Sequence, residues 1–264
     1  MALIKTETEI DKIRSSSLLV GKTIAEVAQH IKPGVTTLAL DKIAEEFIRD
    51  NGALPGFKGY NGFPNTLCIS VNDVIVHGIP NKKELREGDL VSIDCGTIID
   101  GYYGDSAFSF GIAPMAEDVR LLMERTHASL YKGIAAVKPG KRVGDIGNAV
   151  QTYVEDFGYS VVRELVGHGL GTNMHEKPEV PNYGKKGFGA KLEVGMVICI
   201  EPMVNLGKRQ ITQDNDGWTI RTIDGKPSAH FEHAIVIRPE GAEILSSFES
   251  IEQVNNPGLI IIKK

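Results

Sequence analysis

Hydrophobic positions near the start of the chain recur at helical spacing. Ile10, Ile13, Ser17, Val20, Ile24, Val27 and Ile31 step alternately by three and four residues, which lays them along one face of an α-helix. Lys32-Pro33-Gly34 ends it, because proline lacks the amide hydrogen that would continue the ladder. A second amphipathic helix carries Leu40, Ile43, Ala44, Phe47 and Ile48 on one face and stops at Asn51-Gly52. Farther on, the stretch from Ser92 to Phe110 predicts a β-hairpin turning near Asp100-Gly101.

The pattern is used twice. Lys32-Pro33-Gly34 reappears as Lys138-Pro139-Gly140, Leu40 as Ile146, Ile43-Ala44 as Ala149-Val150, Phe47-Ile48 as Tyr153-Val154, Asp50 as Asp156 and Gly52 as Gly158. The strand EGDLVSID at 87–94 aligns in turn with VGMVICIE at 194–201, each a β-rich run after a glycine turn, each closing on a carboxylate. This predicts an α+β fold of internally duplicated helix-helix-strand halves, about 10–111 and 112–250, around a central antiparallel sheet. No Pro/Ser-rich linker divides them, so 1–264 is expected to be one domain. In such a fold equivalent strand ends meet at the pseudo-axis, and Asp94 and Glu201 are expected to face one another.

Composition narrows the class. The chain has 264 residues, 42% hydrophobic and 24% charged, enough for a large core without disulfides or a structural metal. Its net charge of −5 and pI of 5.8 argue against a nonspecific grip on nucleic acid. Cys68, Cys95 and Cys199 sit among apolar or β-forming residues and read as buried, reduced thiols. The opening MALIKTETEIDKIR has charges where a secretory signal needs an apolar run, and no apolar run approaches the ~18 residues of a membrane span. A cytoplasmic, membrane-free protein is expected.

Four short segments carry candidate chemistry. Asp94 and Asp105 flank the expected hairpin turn among Val91, Ile93, Ala107 and Phe108, and on opposed strands they can share a face. His168 lies in the glycine run 167–171, with His175-Glu176 just beyond. Glu201 follows Ile198-Cys199-Ile200 and precedes Pro202, and Glu232 stands in AHFEHAIV. A lone histidine in a glycine loop is most often structural, and paired strand aspartates usually serve turns. Together, however, these segments supply four carboxylates beside apolar strands and one imidazole. Four like charges in a low-dielectric site would repel until some took up protons, whereas two divalent cations would neutralise them. Oxygen-rich ligation with one imidazole suits Mn(II), Fe(II), Co(II) or Zn(II). Two such ions about 3.5–4 Å apart can share a bridging hydroxide, which points to hydrolysis.

The motifs VNDVIVHGIP, SIDCGTIIDGYYGDSA, VGHGLGTNMHEKP, CIEPMV and SAHFEHAIV resemble those of the type I methionine aminopeptidases, metallopeptidases of the creatinase-like pita-bread fold. The resemblance runs from the first helix to about Leu245. It implies Asp94 as terminal ligand of one metal and His168 of the other, with Asp105 and Glu232 bridging. Glu201 would bind beside His168 and take the proton of the attacking water. His175 would hydrogen-bond the scissile carbonyl and its oxyanion, and His77 would lie near the scissile amide; both begin a His-x-x-Pro segment. The methionine pocket would be formed by Phe57, Tyr60, Phe63, Cys68 and Trp218, with Met174 beside His175; relatives carry cysteine, tyrosine and phenylalanine where Phe57, Phe63 and Met174 stand here. Two divalent ions (Co, Mn, Fe, Zn or Ni) are implied, and one monovalent cation, Na or K, at Asn72 and Val74 of the Asn72-Asp73-Val74 segment and at Ser228. The implied substrate is the initiator methionine of nascent polypeptide N-termini with a small second residue, cleaved by a monomer that meets the ribosome transiently. Lys208, Arg209, Arg221 and Lys226 are candidates for that contact.

Only 33 residues separate His168 from Glu201, which leaves little room for the helical insertion of type II members, and no zinc-binding extension precedes the first helix. The short bacterial form is expected. A proline-directed peptidase of the same fold would usually carry a large N-terminal domain. A non-catalytic relative would typically have lost ligands, and all five are here.

Overall fold

The computed structural model describes residues 4–263; the Met1-Ala2-Leu3 start of the opening segment and Lys264 lie outside the described residues. Helix α1 (Glu7–His30) opens on a capping box in which Thr6 and Glu9 satisfy each other's backbone amides. All seven residues of its predicted stripe are buried. Helix α2 (Thr37–Asp50) buries Leu40, Ala44 and Ile48. Helices α3 (Glu117–Ala135) and α4 (Val143–Glu155) form the second pair, with Ile146, Val150 and Val154 buried at the corresponding positions.

The duplication extends to the backbone. Gly34 N donates to Leu85 O at 2.8 Å and Leu85 N returns to Val35 O at 2.8 Å. Gly140 N donates to Leu192 O at 2.9 Å and Leu192 N returns to Lys141 O at 2.8 Å. Gly34 and Gly140 have φ of 86° and 83°, a region that side-chain-bearing residues avoid, so both turns demand glycine.

The central antiparallel layer has two five-stranded parts. In the first, β1 (Leu67–Val71) pairs with β2 (Leu90–Ile99), and β2 pairs with β3 (Tyr102–Ile112). Leu54–Pro55 and Leu259–Ile261 flank that hairpin. In the second, the order is Gly241–Ile244, then β7 (His233–Arg238), β6 (Val197–Ile200), β4 (Gly167–Gly169) and β5 (Glu176–Val180). The parts are stitched together where Glu232 N donates to Ala107 O at 2.9 Å and Ser109 Oγ donates to His230 O at 2.7 Å.

Helix α1 lies directly on the hairpin. Ser16 Oγ donates to Thr97 O at 3.0 Å, Thr97 Oγ1 donates to Ser16 O at 2.9 Å, and Gly104 faces the α1 backbone at Ser16 and Ser17 so closely that no side chain fits between. The helices therefore cover one side of the sheets, and the opposite side carries the site. Among the described residues no helix is long and apolar enough to cross a membrane.

Candidate metal centre and substrate cavity

The hairpin turns at Asp100 and Gly101, both at positive φ (51° and 78°), as a two-residue turn matched to strand twist requires. Its register sets Asp94 opposite Ala107 and Gly96 opposite Asp105, so the two aspartates sit diagonally on one face. One expectation is corrected here. Asp94 does not close its strand: β2 continues to Ile99, because Tyr102 to Gly104 supply pairing partners beyond it.

From the second half, Glu201 follows the last residue of β6 and Glu232 precedes the first of β7, whose register pairs Ile200 with His233. Ser106 Oγ donates to Glu232 O at 2.6 Å, and Ala107, the partner of Asp94, accepts from Glu232 N. These two bonds bring Glu232 over the aspartates. His168, in the middle of β4, donates from Nδ1 to Gly169 O at 2.9 Å, which leaves a lone pair on Nε2. That atom lies 3.6 Å from Asp105 Oδ2 and 3.5 Å from Glu201 Oε1. Burial, with His175 nearby, pushes the His168 imidazole down to about 3, so it is neutral at pH 7.

A neutral imidazole lone pair thus faces two carboxylates, an arrangement that repels unless a cation lies between. Burial raises Asp94 to about 7 and raises Asp105, Glu201 and Glu232 well above the usual carboxylate range, with repulsion from one another adding to the last three. Asp94 Oδ1, Asp105 Oδ1 and Glu232 Oε1 are enclosed and have no hydrogen-bond partner among the described residues. Ligand atoms of Asp105, His168, Cys199 and Glu232 lie within 4.8 Å of one another. Four carboxyls that share protons for want of any other counter-charge, beside a free imidazole nitrogen, fit divalent cations, whose charge would take the place of those protons.

The cluster forms one end of a cavity of about 180 Å³ lined by all twelve residues expected at the catalytic, metal and pocket positions, and by Met174. Phe63 meets Trp218 edge-on at 5.2 Å between ring centroids, and His77 meets Trp218 at 6.2 Å. The Phe57 ring and the Met174 methyl press on Gly96, where a side chain would collide with both. Cys68 lies opposite Asp94 in the β1–β2 register, its thiol pushed up by burial. His77 has φ of 57°, rare for a residue with a side chain, and burial together with His175 pushes it down to about 4. His175 is exposed at the cavity mouth, its centroid 4.4 Å from that of His168 and its Nδ1 2.8 Å from Tyr60 Oη.

Sequence reasoning missed several residues of the cluster and its cavity. His230 is buried, is pushed down to about 3 by burial with His77 nearby, and leaves Nε2 unpartnered; its place two residues before Glu232 was the available signal. Cys199, read only as a buried thiol, shares the inward face of β6 with Glu201, as strand alternation requires. Val76, Leu165 and Met203 complete the apolar wall.

The expected monovalent-cation residues lie outside this cavity. Asn72 O accepts from Ser228 N at 2.9 Å, while the Asn72 side chain binds Asp89 and Leu90 N; Val74 pairs with Arg221. The residues of the expected basic contact patch have acidic neighbours. Arg221 is held by Asp73 at 3.0 Å and Asp214 at 2.8 Å, Arg209 lies 3.7 Å from Glu164, and the Lys208 and Lys226 backbones both donate to Asp224. Acids thus stand beside both arginines of this group.

The model of metallopeptidase family M24 matches residues 11–239. Methionine aminopeptidase 1 of Bacillus subtilis is 48% identical over 246 residues, covering 93% of this chain and 99% of that one. The methionine aminopeptidase of Clostridium perfringens matches at the same identity and coverage. The crystal structure of methionine aminopeptidase from Thermotoga maritima superposes with a TM-score of 0.92 at 42% identity, covering 94% of this chain and all of that one.

Proposed function

The chain belongs to metallopeptidase family M24, and on that premise we propose a metal-dependent aminopeptidase that removes the initiator methionine from nascent chains with a small second residue. The observation that carries the reading is the neutral His168 nitrogen facing Asp105 and Glu201 inside a cluster of four raised carboxylates. Asp94, Asp105, His168, Glu201 and Glu232 would hold two divalent ions, drawn from Co, Mn, Fe, Zn or Ni. When bound, such ions polarise a carbonyl and make water a nucleophile at neutral pH.

The remaining work falls to side chains. Glu201, at the edge of the cluster and raised by burial, accepts the proton of the attacking water and holds it for the leaving amine. The Tyr60 hydroxyl lies 2.8 Å from His175 Nδ1, and by donating to it would leave the ring hydrogen on Nε2. His175 then donates from Nε2 to the scissile carbonyl as negative charge develops. His77, neutral and held against Trp218 in the same cavity, would lie near the scissile amide. Phe57, Phe63, Cys68, Met174 and Trp218 exclude water from the methionine side chain.

All of these groups come from one chain, which supports a monomeric enzyme forming a single catalytic unit. It would act in the cytoplasm on polypeptides met at the ribosome. One Na or K ion at Asn72, Val74 and Ser228 would brace the loop beside the cavity.

Hydrolysis of Met-Ala-Ser by chelator-treated protein, before and after Mn(II) or Co(II), tests the reading. Activity should vanish with chelation and return with metal, and Asp105→Ala should lose both metal and turnover. Faster cleavage of Xaa-Pro peptides, or wild-type activity in Asp105→Ala, would overturn it.

A further inference from the structure

Lysine is rarely buried, yet the Lys5 side chain is 5% exposed, and its Nζ lies 2.7 Å from Glu176 Oε2, on a side chain 6% exposed. Two charges taken out of water gain little net stability from each other, so such a pair is better suited to fixing geometry than to holding the fold together. What it fixes is next to His175. Glu176 Oε1 accepts the backbone N–H of Asn173 at 3.3 Å, so one carboxylate spans the turn that presents His175 and ties it to Lys5. A side chain at Gly171 would collide with both Lys5 Nζ and Glu176 Oε1, which shows how closely the chain is wrapped around the pair. The other end of this link is equally defined. Lys5 N donates to Gly195 O at 2.9 Å and Ile4 bridges Met196, on the turn that leads into β6 and Glu201.

We infer that Lys5 is a positioning residue for His175. Residues 4–6 form a strap that fixes the His175 turn against the strand leading to Glu201, through the buried Lys5–Glu176 pair. Neither residue lines the cavity, so the strap acts on the orientation of His175 and not on substrate or metal. The inference rests on the oxyanion role proposed for His175.

The test is kinetic, on the metal-loaded full chain with Met-Ala-Ser, at a temperature well below every variant's melting point. Lys5→Met is expected to lower kcat about 10- to 100-fold, the scale of a misplaced catalytic group, with KM and Mn(II) affinity unchanged. Lys5→Arg, which keeps the charge and reach, should retain most of the turnover. The double variant Lys5→Met with Glu176→Gln leaves no orphaned buried charge and should show the same kcat loss, which also serves if Lys5→Met alone does not fold. Wild-type kcat in either folded variant overturns the inference. So does a loss of kcat, KM and metal binding together in proportion to the unfolded fraction, or failure of both variants to fold, since these mark a purely structural pair. His175→Ala, run alongside, separates the two readings: if it turns over normally, the role of His175 fails before the strap is at issue.

Discussion

His168 and His175 lie 4.4 Å apart, yet their hydrogen bonds give them opposite chemistry. The Nδ1 of His168 is occupied by a carbonyl, which turns a lone pair toward the carboxylates; the Nδ1 of His175 faces a hydroxyl, which in the proposed mechanism donates to it and leaves a hydrogen on Nε2 for the substrate. His175→Ala should therefore keep its metal by elemental analysis while turnover falls about 10²–10³-fold, the range for a lost oxyanion donor. Metal loss in that variant would contradict the division of roles. Tyr60→Phe should lower turnover less, by about 10-fold, because Nδ1 loses the partner that fixes the tautomer. The ligand candidates were legible because each sits in a short motif of unusual composition. Cys199, His230 and the Tyr60–His175 bond were not. A strand residue's face is known only once register is known, and a hydroxyl-to-imidazole contact across 115 positions leaves no local trace.

Among the elements, the amphipathic helices and the Asp100-Gly101 turn could be read because their periodicity and turn chemistry are local properties. The reach of β2 to that turn goes with the hairpin reading, whereas the repeat alignment, which closes the strand on Asp94, stops it short, since a strand ends where its partner does. The docking of α1 on the hairpin was hidden. It depends on Gly104, one glycine among 29, and on reciprocal bonds between Ser16 and Thr97. Gly104→Ala places a methyl against the α1 backbone, which cannot yield as a flexible side chain would. The cost should be at least about 1–3 kcal/mol, seen as a lower Tm of the metal-loaded protein. An unchanged Tm would show that α1 does not need this close approach.

For the whole molecule, the cluster makes stability depend on pH and metal together. Its carboxyls have folded-state pKa values above their unfolded ones, so the folded metal-free chain holds protons that the unfolded chain releases. By about pH 7.5 the depressed imidazoles are close to neutral in folded and unfolded chains alike, and from there to about pH 8 the raised carboxyls set the slope. Metal-free stability should then fall as pH rises across that window. Mn(II) should raise Tm more at pH 8 than at pH 6.5, because it displaces fewer protons there; an equal gain at both would contradict the raised carboxyls. The same division of the chain has a kinetic side. Each half closes its own loop, through Gly34 with Leu85 and through Gly140 with Leu192, whereas Asp94 and Asp105 belong to one half and His168, Glu201 and Glu232 to the other. Two ions shared among these five would act as a clasp across a seam that the two loop closures never cross. Amide exchange at Glu232, which bonds across the seam to Ala107, should slow as Mn(II) is added, while exchange at Gly34 and Gly140 stays as it was. The metal would then set how often the two halves part, and leave untouched how firmly each is tied to itself.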